Sequence, residues 1–317
     1  MKGWDTEKPS VSEHWRREGC QMLFLPPRSS ERIDKTMSIT IGIDIGGSTT
    51  KIVGIQNGRM MDPLLVRAND PIASLFGAFG KFIASNNLKL HQVEQIMVTG
   101  VGASYLDQQI YGIPTGKVEE FLANGLGGLH LSGLNKAIIV SMGTGTAFVR
   151  AEGEDIYHIG GTGIGGGTIL GLSNRMLNIR DIQLLIKTAE GGNLDKVDLM
   201  VGDITQDHLP TLPAHTTASN FGKISDLANA SDIALGILNM VFQSIGMSAI
   251  FAIRNEDIHE IVLIGNLTTI PQAHPIFQTL SDLYNVNFII APNSEFGTAV
   301  GAALAYTGGH RFLPVGE

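Results

Sequence analysis

At 317 residues the chain is long enough for one large domain or two moderate lobes, each with its own buried core. Hydrophobic residues at 43% against 16% charged exclude a disordered or fibrous chain, and a net charge of -8 without a long Lys/Arg run argues against DNA or RNA as a partner. The single cysteine, Cys20, excludes an internal disulfide and a cysteine-based metal cluster, which reads as an intracellular, cytoplasmic protein, and no run approaches the ~20 consecutive apolar residues of a membrane span.

Residues 1–36 differ from the rest: they hold Trp4 and Trp15, the only cysteine and 7 of the 22 Lys/Arg residues. The apolar run 22–25, closed by Pro26 and Pro27, is too short for a signal-peptide core, so the segment is expected to be a loosely ordered extension or an upstream start before Met37. From Ser38, Ile39, Ile41, Ile43 and Ile45 alternate as a strand, Gly46-Gly47-Ser48 turns the chain, and residues 49–55 return in β-prone residues to a hairpin turn at Asn57-Gly58. Residues 72–84 carry Ile72, Leu75, Phe76, Phe79, Phe82 and Ile83 at helical spacing, and 95–98 read as a strand ending at Thr99-Gly100.

A second cycle opens at Lys136 with strand 137–140, a Gly143-Thr144-Gly145-Thr146 turn and a returning strand 147–151. Its likeness to the first opening is the trace a duplicated two-lobe architecture leaves, with a first lobe over 37–130 and a second over 131–317. The strongest helix covers 231–254, capped at Ser231-Asp232, with Ile233, Ile237, Met240, Val241 and Ile245 on one core-facing stripe. Strand 261–264, the Gly265-Asn266 turn, a helix through Leu283, strand 287–290 and a last helix over 296–306 keep the α/β rhythm.

The glycines carry the functional signal; there are 39, well above the ~7% typical share, and they cluster in turns. Asp44, on the last turn of a strand before Gly46 and Gly47, can reach the hydration shell of a Mg2+ ion while glycine amides approach phosphate oxygens and Ser48 and Thr49 add hydroxyls. Gly143 to Thr146 form a second phosphate-sized turn, and Gly163 to Gly167, at the mouth of a helix, a third. Three such turns suit a cleft binding a triphosphate between two lobes. No Gly-x4-Gly-Lys-[Ser/Thr] run occurs, which disfavours a P-loop enzyme. The Gly-x-Gly-x-x-Gly match at Gly161, Gly163 and Gly166 lacks the strand-end acid that a dinucleotide ribose needs.

These residues resemble the actin, sugar-kinase and heat-shock-ATPase superfamily, whose phosphate-1 hairpin, phosphate-2 hairpin and adenosine segment would be Asp44 to Lys51, Ser141 to Thr146, and Gly265-Asn266 with the following helix. Val98-Thr99-Gly100-Val101-Gly102-Ala103, Val118-Glu119-Glu120-Phe121, the Gly161-Thr162-Gly163 to Leu172 run and Ala218-Ser219-Asn220-Phe221-Gly222 follow the order seen in type II pantothenate kinases, a resemblance covering residues 37–306. It implies a duplicated actin-like, ribonuclease H-like α/β fold, ATP and Mg2+ as cofactors, and phosphorylation of the primary hydroxyl of pantothenate, the first step of coenzyme A biosynthesis.

By the same resemblance Glu120 is the general base, with its neighbour Glu119 as runner-up, since on a helix the two would point about 100° apart. Asp44 holds Mg2+ through water. Gly46, Gly47, Ser48, Thr49, Lys51, Gly143, Thr144, Gly145, Thr146, Gly165, Gly166, Gly167, Gly265 and Asn266 contact the nucleotide, and Gly100, Gly102, Ala103, His158, Gly161 and Thr162 the acceptor. A homodimer and feedback by coenzyme A or its thioesters also belong to the family picture.

One position departs from it. The family places an arginine for the acceptor's carboxylate where this chain has His158, and an imidazole is the poorer partner. A neutral alcohol such as pantetheine is therefore the alternative acceptor, unless Arg150 or Arg175 reaches in, and a nucleotide-binding regulator that has lost phosphotransfer is the non-enzyme alternative. The ATPase activators of radical dehydratases share the Gly-x-Asp-x-Gly-Ser-Thr-Thr-Lys hairpin pattern but need cluster-binding cysteines, and the Cys/His zinc motif of repressor-type sugar kinases is not present.

Overall fold

The computed structural model describes residues 38–67, 70–205, 213–254 and 256–316; the extension expected over 1–36 lies outside them. Strands β1 (Ile39–Ile45) and β2 (Thr49–Gln56) form an antiparallel hairpin around Gly46-Gly47-Ser48. The Asn57-Gly58 turn, with φ of 51° and 74°, leads into β3 (Arg59–Met60), as a two-residue type I′ loop requires. β4 (Leu64–Arg67) pairs with the other end of β2, and α1 (Pro71–Ser85) follows, its N-terminus capped by the Asp70 carboxylate. β5 (Val93–Thr99) joins β1 in parallel and β6 (Thr115–Lys117) joins β5, before α2 (Glu120–Ser132).

The same order then repeats. β7 (Lys136–Met142) and β8 (Thr146–Glu152) make the second hairpin and β9 (Asp155–Thr162) extends it. After an intervening stretch with α3 (Gly166–Leu177), α4 (Ile182–Thr188), β10 (Leu199–Met200), α5 (Val201–Ile204), β11 (Thr217–Ser219) and α6 (Ala230–Ile253), β12 (Glu260–Ile264) joins β7 in parallel. Past α7 (Ala273–Tyr284), β13 (Asn287–Ile289) joins β12, and α8 (Gly297–Thr307) and β14 (Leu313–Pro314) end the described chain.

The run β6-β5-β1-β2-β3 in the first sheet thus matches β13-β12-β7-β8-β9 in the second. Even the exits agree. After β5 the chain passes through Gly100 at φ 87°, and after β12 through Gly265 at φ 96°, each into a single-turn 3-10 helix, a backbone state that favours glycine. This is the duplicated α/β arrangement expected from the two glycine hairpins. The chain's end returns to the first sheet, however: α8 covers it and β14 pairs with β6, although both lie in the stretch 131–317 expected to form the second lobe.

Burial explains the layering. β1 is buried along both faces; its isoleucines cluster with Leu75, Phe79 and Phe82 of α1, and its other face meets α8, where a Cβ at Gly42 would lie 2.0 Å from the Ala299 carbonyl oxygen. α2 lies against the second sheet, with Gly128 on Ile139 and Gly125 on Ile156, and crosses α8 at Gly127 and Gly301. The two helices that close the repeats therefore stack between the sheets.

On the outer face of the second sheet, α6 packs its buried Ile237, Val241, Phe242 and Ile245 into the largest core. Its cap is Asn229 rather than the expected Ser231-Asp232: the Asn229 side chain accepts the N–H groups of Ser231 and Asp232, and the Asp232 carboxylate accepts the Asn229 N–H in return. By length and composition α6 is apolar enough to cross a bilayer, with a mean hydropathy of 1.7 over its most apolar window, although Asn239, Gln243, Ser244 and Ser248 interrupt any long apolar run, and most of that window is buried within the protein. It is a core helix.

Candidate active site

The β1–β2 turn, the β7–β8 turn, the first turn of α2 and the turn after β12 meet around a cleft of about 400 Å3. Asp44, Gly46, Gly47, Ser48, Thr49 and Lys51 line one side, Gly143, Thr144, Gly145 and Thr146 the other, and Glu120, Gly100, His158, Gly161, Thr162, Gly265 and Asn266 complete it. Asp44 and the Gly143 bend, a hundred residues apart in the chain, share one crevice.

The turn amides divide into two groups. Gly46 N–H donates to the Thr49 carbonyl and Gly143 N–H to the Gly145 carbonyl, closing each turn, so neither is left for a ligand. The amides of Gly47, Ser48, Thr144 and Gly145 make no hydrogen bond among the described residues, and each turn presents two such donors to an anion. Asp44 sits opposite Lys51 in the β1–β2 register, with the ammonium 3.5 Å from a carboxylate oxygen. Both are buried, Lys51 at 5% exposure. Burial pushes the Asp44 pKa up, and the Lys51 charge opposes that rise. Across the cleft the Asn266 amide donates to the Thr49 hydroxyl at 3.1 Å, tying the first hairpin turn to the turn after β12.

The start of α2 separates the two glutamates. Glu119 is exposed and caps the helix, its carboxylate accepting the Leu122 N–H at 2.8 Å. Glu120, the first helical residue, is half-buried and lines the cleft; burial first, then the Asp44 and Glu119 charges, raise its pKa, and Lys51 opposes them. Next to it Phe121 stacks flat on His158, ring centroids 3.9 Å apart and planes 6° from parallel. On the cleft floor Thr298, from α8, donates its hydroxyl to Asn124 Oδ1 at 2.8 Å.

Several expected contacts fall elsewhere. Gly102 and Ala103 pack behind the cleft, Gly102 so tightly that a Cβ would meet the Ile45 side chain at 2.3 Å. Gly165, Gly166 and Gly167 do not line it either; Gly166 and Gly167 donate to the Gly143 and Thr144 carbonyls at 2.9 Å and buttress the second turn. Arg150 is taken up by Glu152, Glu256 and Asp155, and Arg175, on α3, is not a lining residue, so among the described residues no arginine lines the cleft. Val101, Phe121, Ala147 and Thr298 also line it, beyond the contacts expected. Val101 and Phe121 sit inside the motifs around Gly100 and Glu120, whereas Thr298 is delivered by the returning α8, for which no local signal exists.

Comparison with known proteins follows the same lines. The Fumble family model matches residues 134–288. A type II pantothenate kinase from Bacillus cereus is 29% identical over 289 residues, covering 86% of this chain and 100% of its own length. One from Staphylococcus epidermidis is 32% identical over 239 residues, 71% of this chain and 84% of that protein. Component A of the (R)-2-hydroxyglutaryl-CoA dehydratase of Acidaminococcus fermentans superposes with a TM-score of 0.61 at 16% identity, over 84% of this chain and 96% of that one, a likeness of fold alone. The fold is that of the actin-like ATPases and sugar kinases.

Proposed function

The chain belongs to the type II pantothenate kinase family, and from that premise we propose that it transfers the γ-phosphoryl group of ATP to the primary hydroxyl of pantothenate, the first step of coenzyme A biosynthesis. The observation that carries the reading is that Glu120, Asp44 and both glycine turns line one cleft.

In phosphoryl transfer a protein mainly positions groups and offsets charge. The free amides of Gly47, Ser48, Thr144 and Gly145 suit the phosphate oxygens of ATP from two sides. Among the described residues no group of three or more His, Cys, Asp or Glu side chains is gathered as a metal cage, which fits an ion carried largely by the nucleotide. Asp44, a buried carboxylate, would hold Mg2+ through its hydration shell, and Mg2+ so bound offsets the charge of the phosphates. Lys51 favours the ionised form of the Asp44 carboxylate against the effect of burial and adds a positive charge beside the first turn. Glu120 takes the proton of the acceptor hydroxyl; its raised pKa makes it a better base than a solvated glutamate. Gly100, Gly161, Thr162 and the Phe121–His158 stack form the acceptor's side of the cleft.

ADP release with ATP and pantothenate tests the reading. Glu120→Gln should lower turnover by ~10²–10⁴-fold and leave nucleotide affinity intact; turnover at the parent level would remove Glu120 from the mechanism. A second acceptor is favoured by the lining itself, since His158 stands without an arginine to pair a terminal carboxylate. Pantetheine, neutral at that end, should therefore show a kcat/KM at least equal to that of pantothenate. Turnover of neither alcohol by protein that still binds ATP would point to a regulator instead. A homodimer, cytoplasmic location and feedback by coenzyme A or its thioesters belong to the same proposal and rest on family membership; sedimentation and inhibition assays test the first and last.

A further inference from the structure

α2 carries one more polar side chain that the mechanism above does not use, bonded to the cleft-lining Thr298. Asn124 follows Glu120 by four residues, so the two stand one turn apart on the same face of the helix. It is 0% exposed, in a helix segment whose other buried residues are Ala123, Gly125, Gly127, Gly128 and Leu129. An apolar residue would fill that space as well, and a buried primary amide normally finds partners for all its polar atoms. Asn124 finds only one: its Oδ1 accepts from Thr298, while Nδ2 is buried with no partner.

Thr298 is itself buried, and it faces the cleft that Glu120 also lines. Its hydroxyl, held at 2.8 Å, fixes which way the Asn124 amide turns, and so aims the two unspent N–H groups. The remaining acceptor on that face of α2 is the Glu120 carboxylate, one turn nearer the cleft.

We propose that Asn124 and Thr298 form a positioning pair for the proposed base: the Thr298 hydroxyl orients the Asn124 amide, and in the substrate complex the amide N–H groups hold the Glu120 carboxylate, one turn away on the same helix face, toward the acceptor hydroxyl. This rests on the assignment of Glu120 as the base. The pair joins α2 to α8, so the two helices that meet between the sheets set the base jointly.

Steady-state kinetics with ATP and pantothenate, run on the full chain, tests it. Asn124→Leu and Thr298→Val should each lower kcat by about 10-fold or more, since misplacing a catalytic group by about 1 Å costs up to ~10²-fold, and leave KM for ATP unchanged. Thr298→Ser, which keeps the hydroxyl, should recover most of the loss, and Asn124→Leu should add nothing in a Glu120→Gln background. Full kcat in Thr298→Val, a loss that Thr298→Ser does not recover, or a further loss on top of Glu120→Gln would each overturn the pair while leaving the kinase reading in place. Parent-level turnover in Glu120→Gln alone would instead overturn the base assignment, and the pair with it. Thr298→Val keeps the side-chain shape, so it decides the question even where Asn124→Leu fails to fold.

Discussion

Glu119 and Glu120 are chemically identical and adjacent, yet the helix start between them divides their roles. The outer one spends its carboxylate on the Leu122 N–H, and the inner one is carried into a cleft that already holds Asp44. Burial and the negative charge of Asp44 both disfavour ionisation of Glu120, so its carboxyl loses its proton above the ordinary 4.5. Two outcomes follow with definite sign. The acid limb of kcat/KM for pantothenate should break above pH 4.5 and disappear in Glu120→Gln; a limb that stays in place in the variant would assign it to another group. Stability should run the other way: the folded chain holds the Glu120 and Asp44 protons more tightly than the unfolded chain, so folding is favoured below the raised pKa values and loses that contribution as pH rises through them. At pH 8 the unliganded Glu120→Gln protein should therefore melt at or above the parent temperature while turning over poorly, and a lower melting temperature would contradict the sign. That Asp44 and the glycines of both turns lie at one cleft was legible in the sequence because the cue is local: an acid at a strand end and bare amides just beyond it. Gly165, Gly166 and Gly167 misled because the destination of an amide is not local, and two of theirs go to the Gly143 and Thr144 carbonyls.

At the scale of elements, the site depends on how closely α2 and α8 approach. A Cβ on Gly301 would lie 1.7 Å from the Ala123 carbonyl oxygen, and one on Gly127 1.8 Å from that of Gly297. These are backbone atoms and cannot swing aside, so the crossing admits no side chain there. Gly301→Ala should destabilise the protein by at least about 1–3 kcal/mol, as overpacking does, read as a lower urea midpoint. Because α2 carries Glu120 and α8 carries Thr298, kcat should also fall at temperatures where the variant is still folded; a stable variant with full kcat would mean that the crossing is adjustable. The sequence showed that the α8 segment is helical and apolar. It did not show that the helix returns to β1, since the cue is a match between Gly42 on a strand and the Ala299 carbonyl more than 250 residues later, a complementarity no periodicity records. The cap of α6 differs from expectation for a smaller reason: Asn229, Ser231 and Asp232 are all capping residues, and only the reciprocal bond between Asn229 and Asp232 decides among them.

At the scale of the whole molecule, duplication places the turn after β1 opposite the turn after β7, and Gly100 opposite Gly265, so one cleft is lined by equivalent parts of two sheets. Such a site has a width, and the side-chain bond across it runs from Asn266 to Thr49. The Asn266 amide donates to the Thr49 hydroxyl while its own oxygen is buried without a partner, so Asn266 is held on one side only. Thr49→Val keeps the side-chain shape and removes that acceptor. A hydrogen bond of this kind contributes about 0.5–1.5 kcal/mol, and it acts between turns that both meet the nucleotide in the proposed complex. The loss should therefore fall on nucleotide retention, with KM for ATP rising by about 2- to 10-fold, and only slightly on melting temperature, because the two sheets keep their cores without it. Pantothenate KM should move little, since the proposed acceptor wall of His158 and Phe121 lies on β9 and α2, which the bond does not join. An unchanged KM for ATP would mean that the turns hold their spacing through the α2–α8 crossing alone, and equal rises for both substrates would mean that the bond sets the shape of the entire cleft.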